Sequence, residues 1–110
     1  MTPTVPTVCE SVGAKPEPCS GDSKVGLARG ARSQLPIHGM RVRPGAGVTG
    51  WFIWAGEYSE ADDFFEPVHV VHLAEVCPAA LPFLDLPPGW RFLTDGDCYR
   101  DVWYDDALVG

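Results

Sequence analysis

His69 and His72 stand three residues apart, with Glu75 and Cys77 close behind, and these are side-chain types that could hold a metal ion or move a proton. Their setting argues against it. Val68 to Val71 reads as a buried strand and His72 opens a helical turn, so the two rings do not share a face, and no second ligand pair at matching separation is present. Structural histidines are the better reading, and no metal site is expected. Glu57, Glu60, Asp62, Asp63 and Glu66 could be a general acid and base or a calcium loop. A calcium loop of EF-hand type needs ligands at fixed odd positions around a central glycine, which this run lacks. Carboxylate catalysis needs one group buried to raise its pKa, whereas a run this dense is usually solvated. No G-x-S-x-G occurs, and Gly45-Ala46-Gly47 is followed by no lysine and opens no helix, so neither an acyl-transfer site nor a phosphate loop is supported. The chain reads as a non-enzyme with no cofactor.

What remains is an aromatic and acidic segment. Gly50-Trp51-Phe52-Ile53-Trp54-Ala55-Gly56-Glu57-Tyr58 runs directly into Ser59-Glu60-Ala61-Asp62-Asp63-Phe64-Phe65-Glu66. Tyr58, Phe64 and Phe65 are interleaved with carboxylates, so they either anchor the loop to the core or form the apolar centre of a charged interface. The candidate partner-binding residues are therefore Glu57, Tyr58, Glu60, Asp62, Asp63, Phe64, Phe65 and Glu66. Charge supports an interface. The net formal charge of −7 conceals a division: residues 1–56 carry +3, with Lys15, Lys24, Arg29, Arg32, Arg41 and Arg43 against Glu10, Glu17 and Asp22, and residues 57–110 carry −10. The acidic half would repel nucleic acid and anionic membrane and attract a basic protein. The plainer reading of such a surface is solubility.

The elements that must position these residues can be placed by pattern. Residues 1–23 are rich in Pro, Thr, Ser and Gly with few large apolar side chains, which predicts a flexible arm ahead of a single domain over 24–110. Lys24 to Arg29 reads as a first strand. Ile37 to Arg43 and Val48 to Ala55 flank the turn Pro44-Gly45-Ala46-Gly47 and predict a hairpin. The second of these strands is apolar on both faces, Trp51 and Ile53 against Phe52 and Trp54, which places it centrally with both sides at least partly covered. Arg41 and Arg43 share a face of the first and are expected in solvent. Two short helical turns follow, His72 to Val76 and Pro78 to Leu84, burying Leu73, Val76, Leu81 and Leu84. Trp90 to Thr94 and Cys98 to Tyr104 form a closing hairpin across Asp95-Gly96, read as a two-residue type I′ turn. The expected fold is a single small α+β domain, a mainly antiparallel sheet of about five strands with a short helical segment. The start of the chain has no signal-peptide pattern and no apolar run is long enough to cross a bilayer, so a cytoplasmic protein is expected. Cys9, Cys19, Cys77 and Cys98 are irregularly spaced, which in a reducing compartment argues for free thiols.

Two blocks carry a family resemblance. Thr49-Gly50-Trp51 with Ala55-Gly56-Glu57, and Pro82-Phe83-Leu84-Asp85-Leu86-Pro87 with Gly89, resemble the blocks of bacterial polymorphic-toxin immunity proteins of the immunity protein thirty-three type. The similarity spans about residues 24–104. It departs at Phe52, where the family tends to place an arginine, and in a longer and more basic stretch from Gly30 to Val48. The resemblance implies a protein that binds a cognate toxin and occludes it. An acidic aromatic surface would suit a basic toxin, such as a nuclease with a positively charged cleft. A second reading is a ligand-binding domain or small enzyme with a pocket walled by Trp51, Trp54 and Trp90 around His69 or His72. A third is a regulatory or assembly domain.

Overall fold

Six extended runs pair into one sheet in the computed structural model, which describes residues 8–45, 48–59, 61, 63–96 and 99–109, with Arg32 described by its backbone alone. The strands are β1 (Lys24–Ala28), β2 (Ile37–Arg41), β3 (Val48–Ala55), β4 (Phe65–His69), β5 (Trp90–Thr94) and β6 (Arg100–Tyr104), in the order β4-β1-β3-β2-β5-β6. Every neighbouring pair is antiparallel except β1 with β3. The fold is α+β and mainly antiparallel, with six strands where about five were expected. The predicted hairpin is β2 with β3, in register from Ile37↔Ala55 to Arg41↔Trp51; Ala46 and Gly47 of its turn lie outside the described residues.

Strand alternation gives the sheet two different faces. Val25, Leu27, Ile37, Trp51, Ile53, Val68 and Phe92 point to the covered face and are buried there. The cover comes from the short helices α1 (Val8–Val12) and α2 (Val70–Val76) and the 3-10 segment Pro78–Phe83. Leu73 is the buried residue of α2, whose first amides are satisfied by the turn ahead of β1: Val70 N–H donates to the Ser23 carbonyl at 2.9 Å and Val71 N–H to that of Gly21 at 3.2 Å. Of the stripe expected from the two helical turns, Leu73 and Leu84 are buried, Val76 is half-buried and Leu81 is exposed. Phe83 stacks on Phe92 at 4.3 Å between ring centroids, locking the 3-10 segment to β5.

Several expectations change. The stretch 8–23, expected to be loose, contributes α1, whose Val8 and Cys9 are buried in the main core; two well-placed apolar residues secure a helix too short for a periodic pattern. β4 begins at Phe65, inside the acidic run, and ends at His69, so Val70 and Val71 are helical instead of extended. Thr94 pairs with Arg100, so the last hairpin has a five-residue connection instead of a two-residue turn. Gly96 has φ of 81° while Asp95 does not have positive φ, which rules out type I′ geometry. Cys9, Cys19 and Cys77 are free thiols whose pKa values are raised chiefly by burial, while Cys98 lies outside the described residues.

The largest correction concerns Arg41, expected in solvent and found 4% exposed. It lies in phase with Ile37 and Gly39 on the covered face. Its Nε donates to the Thr49 carbonyl at 2.9 Å, and its Nη1 to those of Glu17 at 2.8 Å, Leu86 at 2.8 Å and Leu84 at 3.3 Å. One planar cation thus gathers carbonyls from three distant segments. Next to it Gly50, at φ of 90°, forms a bulge in which a Cβ would lie 2.1 Å from the Val42 carbonyl oxygen. We predict that Arg41→Met lowers unfolding free energy by about 3 kcal/mol or more, because several buried carbonyls lose their donor. Arg41→Lys should recover little of it, since an ammonium cannot reproduce the guanidinium fork. Urea denaturation of the three proteins measures both.

Candidate partner-binding surface

β3 carries the aromatic block, and its alternation sends Phe52 and Trp54 to the face opposite α1, α2 and the 3-10 segment Pro78–Phe83, the open face. Cross-strand pairing lines up two rows there. One runs Pro67, Gly26, Phe52, Met40, Arg91, Trp103; the other runs Trp54, His38, Leu93, Asp101, with Phe65 opposite Ala28 on the neighbouring pair of strands. The chain following β3 then folds back over the first strands of this face. Tyr58 packs edge-on against Trp54 at 5.2 Å, Phe65 against Phe52 at 5.0 Å, and Phe64 against Phe65 at 4.8 Å and Tyr58 at 5.8 Å. His38 stacks flat on Trp54, 5.3 Å between centroids with 10° between planes. Trp54 is therefore only 5% exposed although it sits on the open face, while Tyr58 remains 49% exposed.

Tyr58, Phe64 and Phe65 anchor the acidic segment, and Tyr58 also presents a large accessible surface. Glu57 and Asp63 are exposed beside them in sequence. Glu66 separates from the group: it alternates away from Phe65 along β4 and its Oε1 accepts from Arg29 Nε at 2.9 Å. Glu60 and Asp62 lie outside the described residues. Phe52, Trp54 and His38 were missed as surface partners of this cluster, although the two-sided apolar pattern of β3 held the signal for the first two. Farther along the open face Arg91 lies 5.8 Å from the Trp103 ring and pairs with Asp105 at 3.1 Å.

A family model, the Imm33-like domain, matches residues 5–105. The chain belongs to the Imm33-like family. No curated protein and no solved structure gives a match. In this Imm33-like chain the two sequence blocks are in direct contact, because Trp51 Nε1 donates to the Leu84 carbonyl at 3.0 Å. That carbonyl also receives Arg41, so the glycine-tryptophan block and the proline-leucine-aspartate block are joined beneath the sheet.

The tryptophan-walled pocket is not formed among the described residues. Trp51 faces the covered side, Trp54 the open side, and Trp90 packs beside Tyr104 on β5 and β6. His69 and His72 are both exposed and meet edge to face at 5.9 Å. Among the described residues no three His, Cys, Asp or Glu side chains converge as a metal site, and no helix is long and apolar enough to cross a membrane.

His38 gives this face a pH dependence. Burial, and secondarily the positive charge of Arg91, hold its pKa below the usual value of about 6.5. As pH falls below that value the unfolded chain takes up a proton that the folded chain resists, so stability drops through the window beneath 6.5. The loss is complete once pH passes the folded value. We predict that the stability difference between the parent and His38→Gln narrows from pH 7.5 to pH 5, measured by urea denaturation at each pH. Parallel curves would show that His38 does not titrate in this way.

Proposed function

We propose that this Imm33-like chain is an immunity protein that binds and neutralises a cognate toxin, with the open aromatic face and its acidic segment as the contact surface. The observation that carries this reading is the ring cluster of Phe52, Trp54, Tyr58, Phe64 and Phe65, which leaves Tyr58 half exposed on the sheet face opposite α1 and α2, in a segment rich in carboxylates. Rigid aromatic rings make good interface centres because they bury much area at small entropic cost, and surrounding charge governs encounter. Glu57, Glu60, Asp62 and Asp63 would steer a basic toxin onto the rings. Glu66 belongs to the same segment, and with one oxygen engaged by Arg29 it would shape the edge of the surface. Occlusion requires no catalysis by the inhibitor, no cofactor and neither nucleic acid nor membrane. The site of protection would be the cytoplasm of the producing cell.

The test begins with capture of binding proteins from source-cell lysate at low ionic strength, followed by expression of each captured protein in a naive host. A captured protein should arrest growth, and co-expression of the immunity chain should restore it. Glu57→Lys with Asp63→Lys should weaken binding of that toxin roughly tenfold at low salt, mainly through slower association. Tyr58→Ala should act mainly on dissociation. Surface plasmon resonance separates the two effects. A captured set without toxicity, or rescue indifferent to all three substitutions, would overturn this reading.

A further inference from the structure

The cations of the first half are unevenly used. Arg41 is buried among carbonyls and Arg29 is paired with Glu66. Lys24 and Arg43 instead line one groove, near the start of β1 and β3, whose other wall is formed by Phe65, Glu66 and Pro67 where the acidic segment runs into β4. The groove has a volume of about 280 Å³. Its wall is almost wholly apolar, made by Gly26, Val48, Phe52, Phe65 and Pro67. Gly26 deepens it: a Cβ there would lie 2.8 Å from the Phe52 ring and 3.3 Å from Phe65 Cβ. Arg43 is held in place by its Nε and Nη2, which both donate to the Val109 carbonyl at 2.9 and 2.6 Å. Glu66 also borders the groove, but its carboxylate is shared with Arg29, so the balance at the rim is positive.

We propose that this groove binds a small free carboxylic acid, an apolar body carrying one negative charge. The apolar wall fits the body, and the volume lies just below the range of about 300–1,000 Å³ in which drug-sized ligands are held, so the ligand is small. Lys24 and Arg43 supply the charge preference, in a protein whose overall −7 would otherwise disfavour any anion. The acid stacks on the Phe52 and Phe65 rings that also support Tyr58 and Phe64, which places a ligand directly behind the aromatic cluster. This site shares the Phe52 and Phe65 rings with the toxin-binding reading but takes its charge from Lys24 and Arg43, which that reading does not use, so a carboxylic acid can bind here whether or not a toxin does.

Octanoate and octylamine share a chain length and differ in charge, so they serve as the probe and its control in amide chemical-shift titrations of the full chain. Octanoate should shift the amides of Gly26, Val48 and Phe52 saturably and bind about tenfold more tightly than octylamine. Lys24→Glu should weaken octanoate binding roughly three- to tenfold. Lys15→Glu, the same charge change at an exposed position outside the groove, should leave it unchanged. The amide spectrum of each variant reports its fold in the same experiment. The proposal is overturned by octylamine binding as tightly as octanoate, by shifts centred elsewhere, by equal losses in the two variants, or by no saturable shift with octanoate.

Discussion

The buried guanidinium of Arg41 is the interaction on which the architecture depends. A charged group can be taken out of water only if its donors find acceptors. Here the acceptors are backbone carbonyls of Glu17, Thr49, Leu84 and Leu86, from the segment after α1, from β3 and from the chain after the 3-10 segment. The segments holding Glu17, Leu84 and Leu86 are irregular or lie at the end of a 3-10 turn, and Arg41 supplies a donor that no strand pairing provides there. The Arg41 carbonyl closes the arrangement by accepting from Gly89 N–H at 2.7 Å, which fixes the entry to β5. Tryptophan adds a second tie at the same place, since Trp51 shares the Leu84 carbonyl and lies 5.8 Å from the guanidinium carbon. The covered face is thus held by polar convergence as much as by apolar packing.

That division of labour leaves the other face available. α1, α2 and the 3-10 segment Pro78–Phe83 lie on the Arg41 side, and Phe52 and Trp54 are shielded by rings that return from the acidic segment and by His38. Aromatic contacts of this kind stabilise by burial and edge-to-face geometry while leaving ring surface in water. On the proposed function, the rings that hold the segment would meet the partner already ordered, which lowers the entropic cost of binding. Exposed Glu57 and Asp63 follow β3 in the chain, whereas Lys24 and Arg43 stand at the start of β1 and just beyond β2.

Much of this was legible in the residues. The β2–β3 hairpin, the central place of β3 and the pair of short helical turns followed from alternation, turn residues and the prolines at 78 and 82. Arg41 was misplaced because arginine is normally solvated, yet its position in phase with Ile37 and Gly39 held the contrary signal. The parallel pairing of β1 with β3 depends on a crossover through residues 29–36, and local pattern carries no information about such a neighbour. α1 was hidden by its length, since five residues in a Pro- and Ser-rich context show no helical period. For the surface, the acidic aromatic segment could be named from sequence, but its docking on Phe52, Trp54 and His38 required the sheet register. The separation of Glu66 from the other carboxylates likewise follows from β4 beginning at Phe65, a boundary that the charged context obscured.

The central claim, that the open aromatic face meets the toxin, is tested most directly by hydrogen exchange of the chain alone and in complex with its captured toxin. Binding there should slow exchange in peptides covering residues 36–41 and 50–66 and leave residues 70–86, which form the helical cover, unchanged. Protection confined to 70–86, with the aromatic segment exchanging as in the free chain, would contradict the account.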